Sequence, residues 1–495
     1  MTALLTIILS FIGALVCGLM PSSAHRRIRW VALAVAAAGL LVSMVCCVNY
    51  PGGKFADLVE TDWIPSLGIG FITGYDGISL PLLLVTGLVA VCGVLFSWTL
   101  ESRANQFYAF YFALIGGVYG VFLSLDLFLL FVFYEIAVVP KYFLITIWGG
   151  ARRQFAAMKL VLYSFGGSAL VLLGMLAVFF LAHDPSGEAL KTFNLLELQQ
   201  GQVPAAAQQW IFPLIFVGFA IMAGMWPFHT WAPTGHVAAP TAASMLLAGV
   251  VMKLGAYGCL RVAVGLLPAG AQAWAPWVAV VALINIVYGA LVALKQDDFK
   301  YVIGYSSVSH MGFVLLGIAT LNLTGMTGAV LQMFSHGVIG ALLFALVGTV
   351  IYTRTKTRML DELHRLIDRM PGIAWVFIVA GLASMGLPGF SGFVSELYVL
   401  IGAWGTLSGW IVAGAGLGIL ATFGYTLVKI HEAFFRERKV PDAGQVETGY
   451  PEMTLPEKAG VIILLGASLL IGLCPWLLTD KISPSLKLLL ERLPN

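Results

Sequence analysis

The sequence predicts an all-α polytopic membrane protein with about fourteen transmembrane helices, and three observations lead to this prediction. Of the 495 residues, 60% are hydrophobic and only 10% are charged, whereas a soluble domain carries about 25% charged residues. The mean hydropathy is +0.93. Apolar runs of about 20 residues, the length that crosses a bilayer as a helix, recur from one end of the chain to the other.

The apolar runs are numbered here as spans 1 to 14. They cover residues 2–20, 30–49, 79–99, 107–125, 127–149, 157–182, 211–231, 239–264, 274–294, 301–320, 325–352, 372–403, 408–432 and 459–478. The longest polar connections, 50–78, 183–209 and 433–458, are expected to be loops or short surface helices. None of them is long enough for a soluble catalytic domain, so any activity of this chain is expected inside the bilayer.

The distribution of basic residues predicts the topology. Nineteen of the 27 Lys and Arg residues lie in connections on the side of the first loop, six lie on the other side, and Lys141 and Lys253 lie within spans. Because basic loops stay in the cytoplasm, both termini are expected on the outer, periplasmic side of a bacterial inner membrane. The net charge of +3 and the absence of a long basic run give no sign of nucleic-acid binding. The six cysteines lie in apolar runs without metal-ligand spacing.

Two of the spans are interrupted by proline. Span 7 contains Pro227, and span 12 contains Pro388 among three glycines. Proline removes a helical hydrogen bond, and within lipid such a break persists only where protein or a wet cavity meets the freed backbone groups. Broken helices in corresponding positions, five spans apart, predict two inverted five-helix repeats, helices 4–8 and 9–13.

These repeats divide the chain into four regions. Residues 1–106 hold the N-terminal helices 1–3, 107–264 the first repeat and 274–432 the second repeat. Residues 433–495 hold a cytoplasmic loop, helix 14 and a C-terminal tail.

Six ionisable side chains are placed well inside the spans, and they are the candidate site residues: Glu135, Lys141, Lys253, His310, His336 and Glu396. A lone ammonium at this depth costs roughly 2.5–3.5 kcal/mol, so it faces a partner or water and marks an ion pathway. Histidine has an ordinary pKa of about 6.5, which suits proton exchange near neutrality. The set therefore predicts a proton or cation path rather than a site of bond chemistry. The alternatives are a snorkelling lysine and neutral, hydrogen-bonded structural histidines.

Span 5 holds two opposite charges. Glu135 is followed within six residues by Pro140 and Lys141. An ion pair between Glu135 and Lys141 is the simplest way to keep both charged in the membrane. Alternatively, Lys141 snorkels toward the cytoplasmic end of its span, about eight residues away.

Four motifs carry a resemblance to a known family: MWPFHTWAPTGHVAAPTAASMLLAGVVMKLGAYG, SSVSHMGFVLLG, QMFSHG and GLPGFSGFVSEL. They resemble the antiporter-like membrane subunits of respiratory complex I, with chain M as the nearest branch. The resemblance covers nearly the whole chain and implies helices 7 and 12 that are broken. It also implies that five residues match the family's helix 5 glutamate, helix 8 lysine, two relay histidines and helix 12 glutamate, respectively Glu135, Lys253, His310, His336 and Glu396.

The resemblance further implies a proton-translocating subunit of an NADH:quinone oxidoreductase with no redox centre and no cofactor of its own. Its partners would be the lipid bilayer and antiporter-like membrane subunits on both sides, while NADH and quinone act through other subunits. Two alternative functions remain open beside the one that the resemblance implies. One is a subunit of a multi-subunit Na⁺/H⁺ antiporter or membrane-bound hydrogenase, and the other is a structural spacer that does not pump.

One departure from the family bears on the choice between these readings. The family carries a lysine on helix 7, in a pattern like FAxKxPxxPFHTW, and this chain reads FAIMAGMWPFHTW with Met222 at that position. Lys141 follows Pro140, where the family usually has an apolar residue. We therefore expect that the charge of helix 7 has moved to helix 5.

Overall fold

The computed structural model describes residues 1–437 and 449–493, and its fold is mostly helical. In chain order the elements are α1 (Leu4–Leu19), α2 (His25–Asn49), β1 (Ala56–Ile64), β2 (Ile69–Tyr75), α3 (Leu80–Phe96), α4 (Ala104–Leu123), α5 (Leu127–Trp148), α6 (Arg153–Leu181), α7 (Leu195–Gln200), α8 (Ala205–Ala223), α9 (Trp231–Ala238), α10 (Thr241–Leu246), α11 (Met252–Gly258), α12 (Pro268–Leu294), α13 (Phe299–Ala319), α14 (Leu323–Ala345), α15 (Tyr352–Thr355), α16 (Leu366–Arg369), α17 (Pro371–Ser384), α18 (Ser391–Thr406), α19 (Gly409–Ile430), α20 (Leu455–Leu473) and α21 (Trp476–Leu490).

Each of the fourteen predicted spans overlaps at least one of these helices. Within the described residues, eleven helical segments are long and apolar enough to cross a membrane, and α1, α3 and α17 are shorter apolar helices. The predicted polytopic helical membrane fold is therefore confirmed. Residues 438–448 of the predicted connection 433–458, with the counted cations Arg438 and Lys439, lie outside the described residues.

The connection predicted as loops or surface helices at 50–78 instead holds an antiparallel hairpin, β1 paired with β2, so the chain is not helical throughout. Thr61 lies opposite Phe71, and a 3₁₀ turn, Pro65–Leu67, joins the strands. Gly68 closes that turn with a φ of 66°, a value that glycine adopts without strain. The β-branched and aromatic residues of the two segments favour strands over helix.

The segment predicted as a C-terminal tail contains another helix, α21. Its buried residues Leu478, Ile482, Leu486 and Leu489 recur at helical spacing, which gives the helix one apolar face. The Ser485 hydroxyl lies 2.8 Å from the hydroxyl of Tyr50, which follows α2. Helix α21 therefore packs at the end of the bundle that carries the hairpin, here called the hairpin end.

The breaks in spans 7 and 12 have the same backbone geometry. Helix α8 ends with Gly224 at a φ of 83°, and α17 is followed by Gly386 at a φ of 82°. In the first break the N–H of Met225 donates to Ala220 O, and in the second the N–H of Leu387 donates to Leu382 O. With the accompanying bonds from Gly224 and Gly386, each is a Schellman cap that satisfies the carbonyls at the helix end.

A side chain from a neighbouring helix satisfies the remaining polar groups of the first break. Asn285 of α12 accepts from the Trp226 N–H at 2.5 Å and donates to the Gly224 carbonyl at 3.0 Å. It also donates to Val308 O of α13 at 3.2 Å. The break predicted at Pro227 is therefore stabilised by protein rather than exposed to lipid, as the lack of water in the bilayer core requires.

A buried ion pair anchors the hairpin end. Asp76, just after β2, pairs with Arg261, and the two side chains are 4% and 3% exposed. The Asp76 carboxylate also accepts from the backbone N–H groups of Ile78 and Ser79 at 3.0 and 3.1 Å. The guanidinium of Arg261 lies over the ring of Phe55 at 5.0 Å. Removing one partner of such a pair is costly because the other charge stays buried and unpaired.

We expect Asp76→Asn to destabilise the fold by about 3–5 kcal/mol, because Arg261 keeps its charge in a buried place. The measurement is the midpoint of thermal unfolding of the purified protein in detergent. The matched control is Asp368→Asn, which removes the carboxylate from the half-exposed Arg365–Asp368 pair and is expected to cost less than about 1 kcal/mol. Equal midpoints for the two variants would contradict the anchoring role of Asp76.

Candidate functional site

Lys253 lies on a helix with an irregular turn. The π turn Leu247–Val251 precedes α11, and such turns place an extra residue in the helix and occur frequently at functional sites. The Lys253 ammonium donates to the carbonyl of Ala248, which belongs to this turn. Lys253 is fully buried, so the turn supplies a backbone acceptor for a charge that water does not reach.

The second partner of Lys253 is a histidine. Its Nζ lies 2.7 Å from Nδ1 of His336, on α14. A charged lysine can only donate, so with the ammonium form His336 must be neutral and present the Nδ1 lone pair. The pair can therefore hold one excess proton on either member.

The other two predicted residues of the second repeat form a second pair. Nδ1 of His310, on α13, lies 3.0 Å from Oε1 of Glu396, on α18. A carboxylate accepts only, so Nδ1 carries the proton when Glu396 is ionised. The rings of His310 and His336 are 5.7 Å apart between centroids. Four of the six predicted site residues thus form one buried row: Lys253, His336, His310 and Glu396.

A glutamine that the sequence analysis did not single out completes this row. Nε2 of Gln332 donates to Glu396 Oε1 at 3.2 Å and lies 3.4 Å from His310 Nδ1. Ser395 donates to Gln332 Oε1. Gln332 precedes His336 by four residues, so both lie on one face of α14. That spacing in the motif LQMFSHG was the available sequence signal.

A small cavity lies among these side chains. Its volume is about 10 Å³, close to the space that one water molecule needs. It is lined by His310, Gln332, Ser335, His336, Ile339, Ser384, Gly392 and Glu396. A water in this place would have several polar partners at once, so the gap between the two histidines is of a kind that water can bridge.

Glu135 and Lys141 lie apart from this row and do not form the predicted ion pair. Helix α5 continues through Pro140, so the two side chains remain about 120° apart and about 9 Å along the axis. Oε1 of Glu135 is buried without a hydrogen-bond partner. The expectation of a direct Glu135–Lys141 pair is therefore wrong.

Lys141 lies instead beside the methionine that stands at the family's lysine position. Its Nζ is 4.0 Å from Sδ of Met222, and Lys141 is 2% exposed. The snorkelling alternative requires the ammonium to reach the water interface, and the burial of Lys141 contradicts it. The charge in this half of the molecule is thus placed next to residue 222, although it comes from α5 rather than α8.

The structure also contains buried titratable groups that the sequence analysis counted as connections. Lys300, on α13, is 5% exposed and donates to Ala239 O at 3.0 Å. His236 is fully buried and stacks on Phe344 at 4.6 Å. Both ring nitrogens of His236 lack a hydrogen-bond partner. Their position near predicted span ends concealed their burial, because the helices extend further than hydropathy alone indicates.

No cluster suited to a metal ion is found among the described residues. The six cysteines are free thiols, and four of them are buried. The row of Lys253, His336, His310 and Glu396 consists of proton donors and acceptors in contact as two pairs. Groups of this kind are suited to proton transfer between fixed side chains.

Comparisons with known proteins agree with this description. Residues 124–422 match the family model described as NADH:quinone oxidoreductase/Mrp antiporter, TM. The chain is 36% identical over 478 residues to NADH-quinone oxidoreductase subunit M of Rhodobacter capsulatus, covering 95% of this chain and 91% of that protein. Among solved structures, it is similar to a chain of respiratory complex I from Thermus thermophilus with bound NADH, at 27% identity, a TM-score of 0.89 and full coverage of both chains.

A chain of the Mrp complex from Dietzia sp. DQ12-45-1b has the same fold, with a TM-score of 0.86, 22% identity and coverage of 99% of this chain and 97% of that one. At this identity the likeness concerns the fold alone. The family match covers both broken spans and every candidate residue of the row. This chain therefore belongs to the NADH:quinone oxidoreductase/Mrp antiporter transmembrane family.

Proposed function

We propose that this chain is a proton-translocating membrane subunit of a complex I-type NADH:quinone oxidoreductase. The observation that carries the proposal is the buried row Lys253–His336–His310–Glu396, with contacts of 2.7 Å at one end and 3.0 Å at the other. Protons pass between these groups, while NADH oxidation and quinone reduction take place in other subunits. The similarity to subunit M of NADH-quinone oxidoreductase over 95% of the chain supports this reading over the antiporter and hydrogenase readings.

The proposal includes the internal repeats of the chain, its orientation in the membrane and its neighbouring subunits. Residues 107–264 and 274–432 are two inverted repeats, and the matching caps at Gly224 and Gly386 support this division. Both termini and the hairpin face the periplasm of a bacterial inner membrane in this proposal, which the excess of basic residues in the opposite loops supports. Antiporter-like subunits flank the chain on both sides.

The charges of the row determine how a proton moves through it. When Lys253 is charged and His336 neutral, the proton can shift to His336 and leave Lys253 neutral. From His336 a water in the cavity can pass the proton to the His310–Glu396 pair. Once this pair carries the added proton, it can give a proton up again. Each intermediate leaves a charge beside a polar partner, which lowers the cost of holding it in a dry interior.

In the first repeat, Lys141 takes the place of the family's helix 7 lysine. Its ammonium lies beside Met222, and Met222 fills the remaining space with a flexible apolar side chain. Lys141 and Glu135 interact electrostatically over a distance and do not form a direct ion pair. The spacer hypothesis supposes that no lysine charge remains beside residue 222. Because Lys141 places an ammonium there, the arrangement favours a working channel over a structural spacer.

For Lys253→Met we expect proton transport through this chain to slow on the order of 100-fold, since a positioned proton donor contributes about 10²–10⁴ to a transfer step. Methionine keeps most of the side-chain volume, so assembly is expected to be intact. The measurement is the number of protons moved per electron pair in vesicles containing the whole complex. The control is Lys191→Met, in an exposed loop. Normal stoichiometry in Lys253→Met would refute the proposal.

For Glu396→Gln we expect the same loss of proton movement with normal assembly, because the amide oxygen can still accept from His310 but cannot take up a proton. The measurement is again protons per electron pair, together with the rate of NADH oxidation. The control is Glu452→Gln, whose exposed carboxylate pairs with Lys458. Unchanged pumping in Glu396→Gln would exclude this carboxylate from the path.

Lys141→Met should lower the number of protons moved per electron pair, and adding Met222→Lys should restore it, because the ammonium returns to nearly the same place from the facing helix. The double variant retains the charge and the volume of both positions. Normal pumping in Lys141→Met, or no recovery in the double variant, would show that the first repeat works without a lysine at this place.

A further inference from the structure

A cavity of about 420 Å³ lies at the hairpin end, away from the row. Its walls come from the start of the hairpin, from α7, from the π turn Cys259–Val264 and from α21. Among the described residues that line it, Lys54, Arg261 and Arg492 are basic and Asp76 is acidic. Three positive charges against one negative charge make the lining of this cavity strongly cationic.

One nitrogen of Arg261 has no partner in the protein. Nη2 of Arg261 pairs with the Asp76 carboxylate, and Nε donates to the Tyr257 hydroxyl at 3.3 Å. No hydrogen bond from Nη1 is found among the described residues, although the side chain is only 3% exposed. A guanidinium has five N–H donors in a planar fork, so the two on Nη1 remain available to a group inside the cavity.

Arg492 brings a second guanidinium to the same cavity. Burial lowers the pKa of Arg492, and the nearby positive charge of Arg261 lowers it further. Arginine nonetheless stays charged at neutral pH, so two like charges face one space. No hydrogen bond or ion pair of the Arg492 or Lys54 side chain is found in the described part of the chain. An anion between these groups would replace their repulsion by attraction.

The other walls of the cavity combine amide and apolar side chains. Gln199 and Gln200 of α7 offer amide N–H donors. Leu58 and Leu488 also line the cavity, and they are 51% and 42% exposed. The cationic interior therefore opens beside an apolar rim. A ligand that matches both parts has an anionic head and an apolar body.

The position of the hairpin end in the bundle suits such a ligand. Helix α2 ends at Asn49 just before the hairpin, and α3 begins at Leu80 just after it. Both are apolar helices of the bundle, so the cavity lies at the level where the spans end. Trp476, at the start of α21, is 54% exposed, and tryptophan is enriched at the membrane–water interface. Phospholipid headgroups lie at this level.

We propose that the cavity is a binding site for a phosphate group, which is held between the guanidinium groups of Arg261 and Arg492 with Lys54 at the rim. Guanidinium groups bind phosphate oxygens through paired, charge-assisted hydrogen bonds. The headgroup of an anionic phospholipid and free phosphate share this chemistry, and the apolar rim favours the phospholipid. The bound phosphate joins α21 to the Arg261–Asp76 pair that anchors the hairpin. The inference is independent of the proposed proton translocation.

The test measures binding to the purified full chain in a non-ionic detergent. The probes are dihexanoyl phosphatidylglycerol, inorganic phosphate and dihexanoylglycerol, which has the same acyl chains without the phosphate. Affinity is obtained from the rise in the midpoint of thermal unfolding with probe concentration. We expect dihexanoyl phosphatidylglycerol to bind and dihexanoylglycerol not to bind. An affinity for this lipid about tenfold above that for inorganic phosphate identifies a lipid site, and equal affinities identify a site for free phosphate.

Arg492→Gln should weaken the binding of both phosphate-bearing probes about tenfold, because it removes a charged donor of paired hydrogen bonds. The matched control is Lys487→Gln, which removes the same charge from the exposed side of α21 but not from the cavity. This control should bind like the wild type. The unfolding midpoints without probe show that both variants are folded.

Four outcomes would overturn the site. They are no binding of either phosphate-bearing probe, binding of dihexanoylglycerol as tight as that of the phospholipid, wild-type affinity in Arg492→Gln, and equal losses in Arg492→Gln and Lys487→Gln. The last would show a general attraction of anions to a basic helix. None of these outcomes bears on proton movement in Lys253→Met, so the proposed function stands or fails separately.

Discussion

The contact between the Lys253 ammonium and the His336 imidazole determines how the centre of this molecule is built. A charge at this depth has no access to bulk water, so its partners must come from the protein. One partner is a carbonyl of the π turn before α11, and the other is a side chain of α14. Helix α14 must therefore pass close to α11, and its own polar face then brings Gln332 and His336 to the second pair, His310 and Glu396.

The backbone breaks obey the same constraint. Each helix end at membrane depth exposes polar groups that lipid cannot satisfy. In the first break a Schellman cap and Asn285 satisfy them, and in the second a cap of the same form does so. The second break also allows α18 to start inside the bundle, which places Glu396 beside His310 rather than at a membrane surface.

In the predicted first repeat, residues 107–264, a lysine ammonium also lies at membrane depth, beside residue 222. A lysine beside residue 222 can be supplied by the helix that carries residue 222 or by the helix facing it. Here α5 supplies it, and Met222 occupies the volume left on α8. Pro140 leaves α5 continuous, so Lys141 turns away from Glu135 and toward α8. This placement supports the proposal that the departure from the family pattern is an exchange of side chains between two facing helices.

The sequence by itself determined the membrane class, the approximate positions of the apolar helices, both breaks and six ionisable residues within them, five of which are buried, because hydropathy, proline and isolated charges are local signals. It could not determine which of these residues meet. The pairs Lys253–His336 and His310–Glu396 join residues 83 and 86 positions apart, and the absent Glu135–Lys141 pair depended on whether one proline bends a helix. The hairpin and α21 were likewise decided by tertiary packing, since a short amphipathic segment has the same local pattern whether its partner is lipid, water or a neighbouring helix.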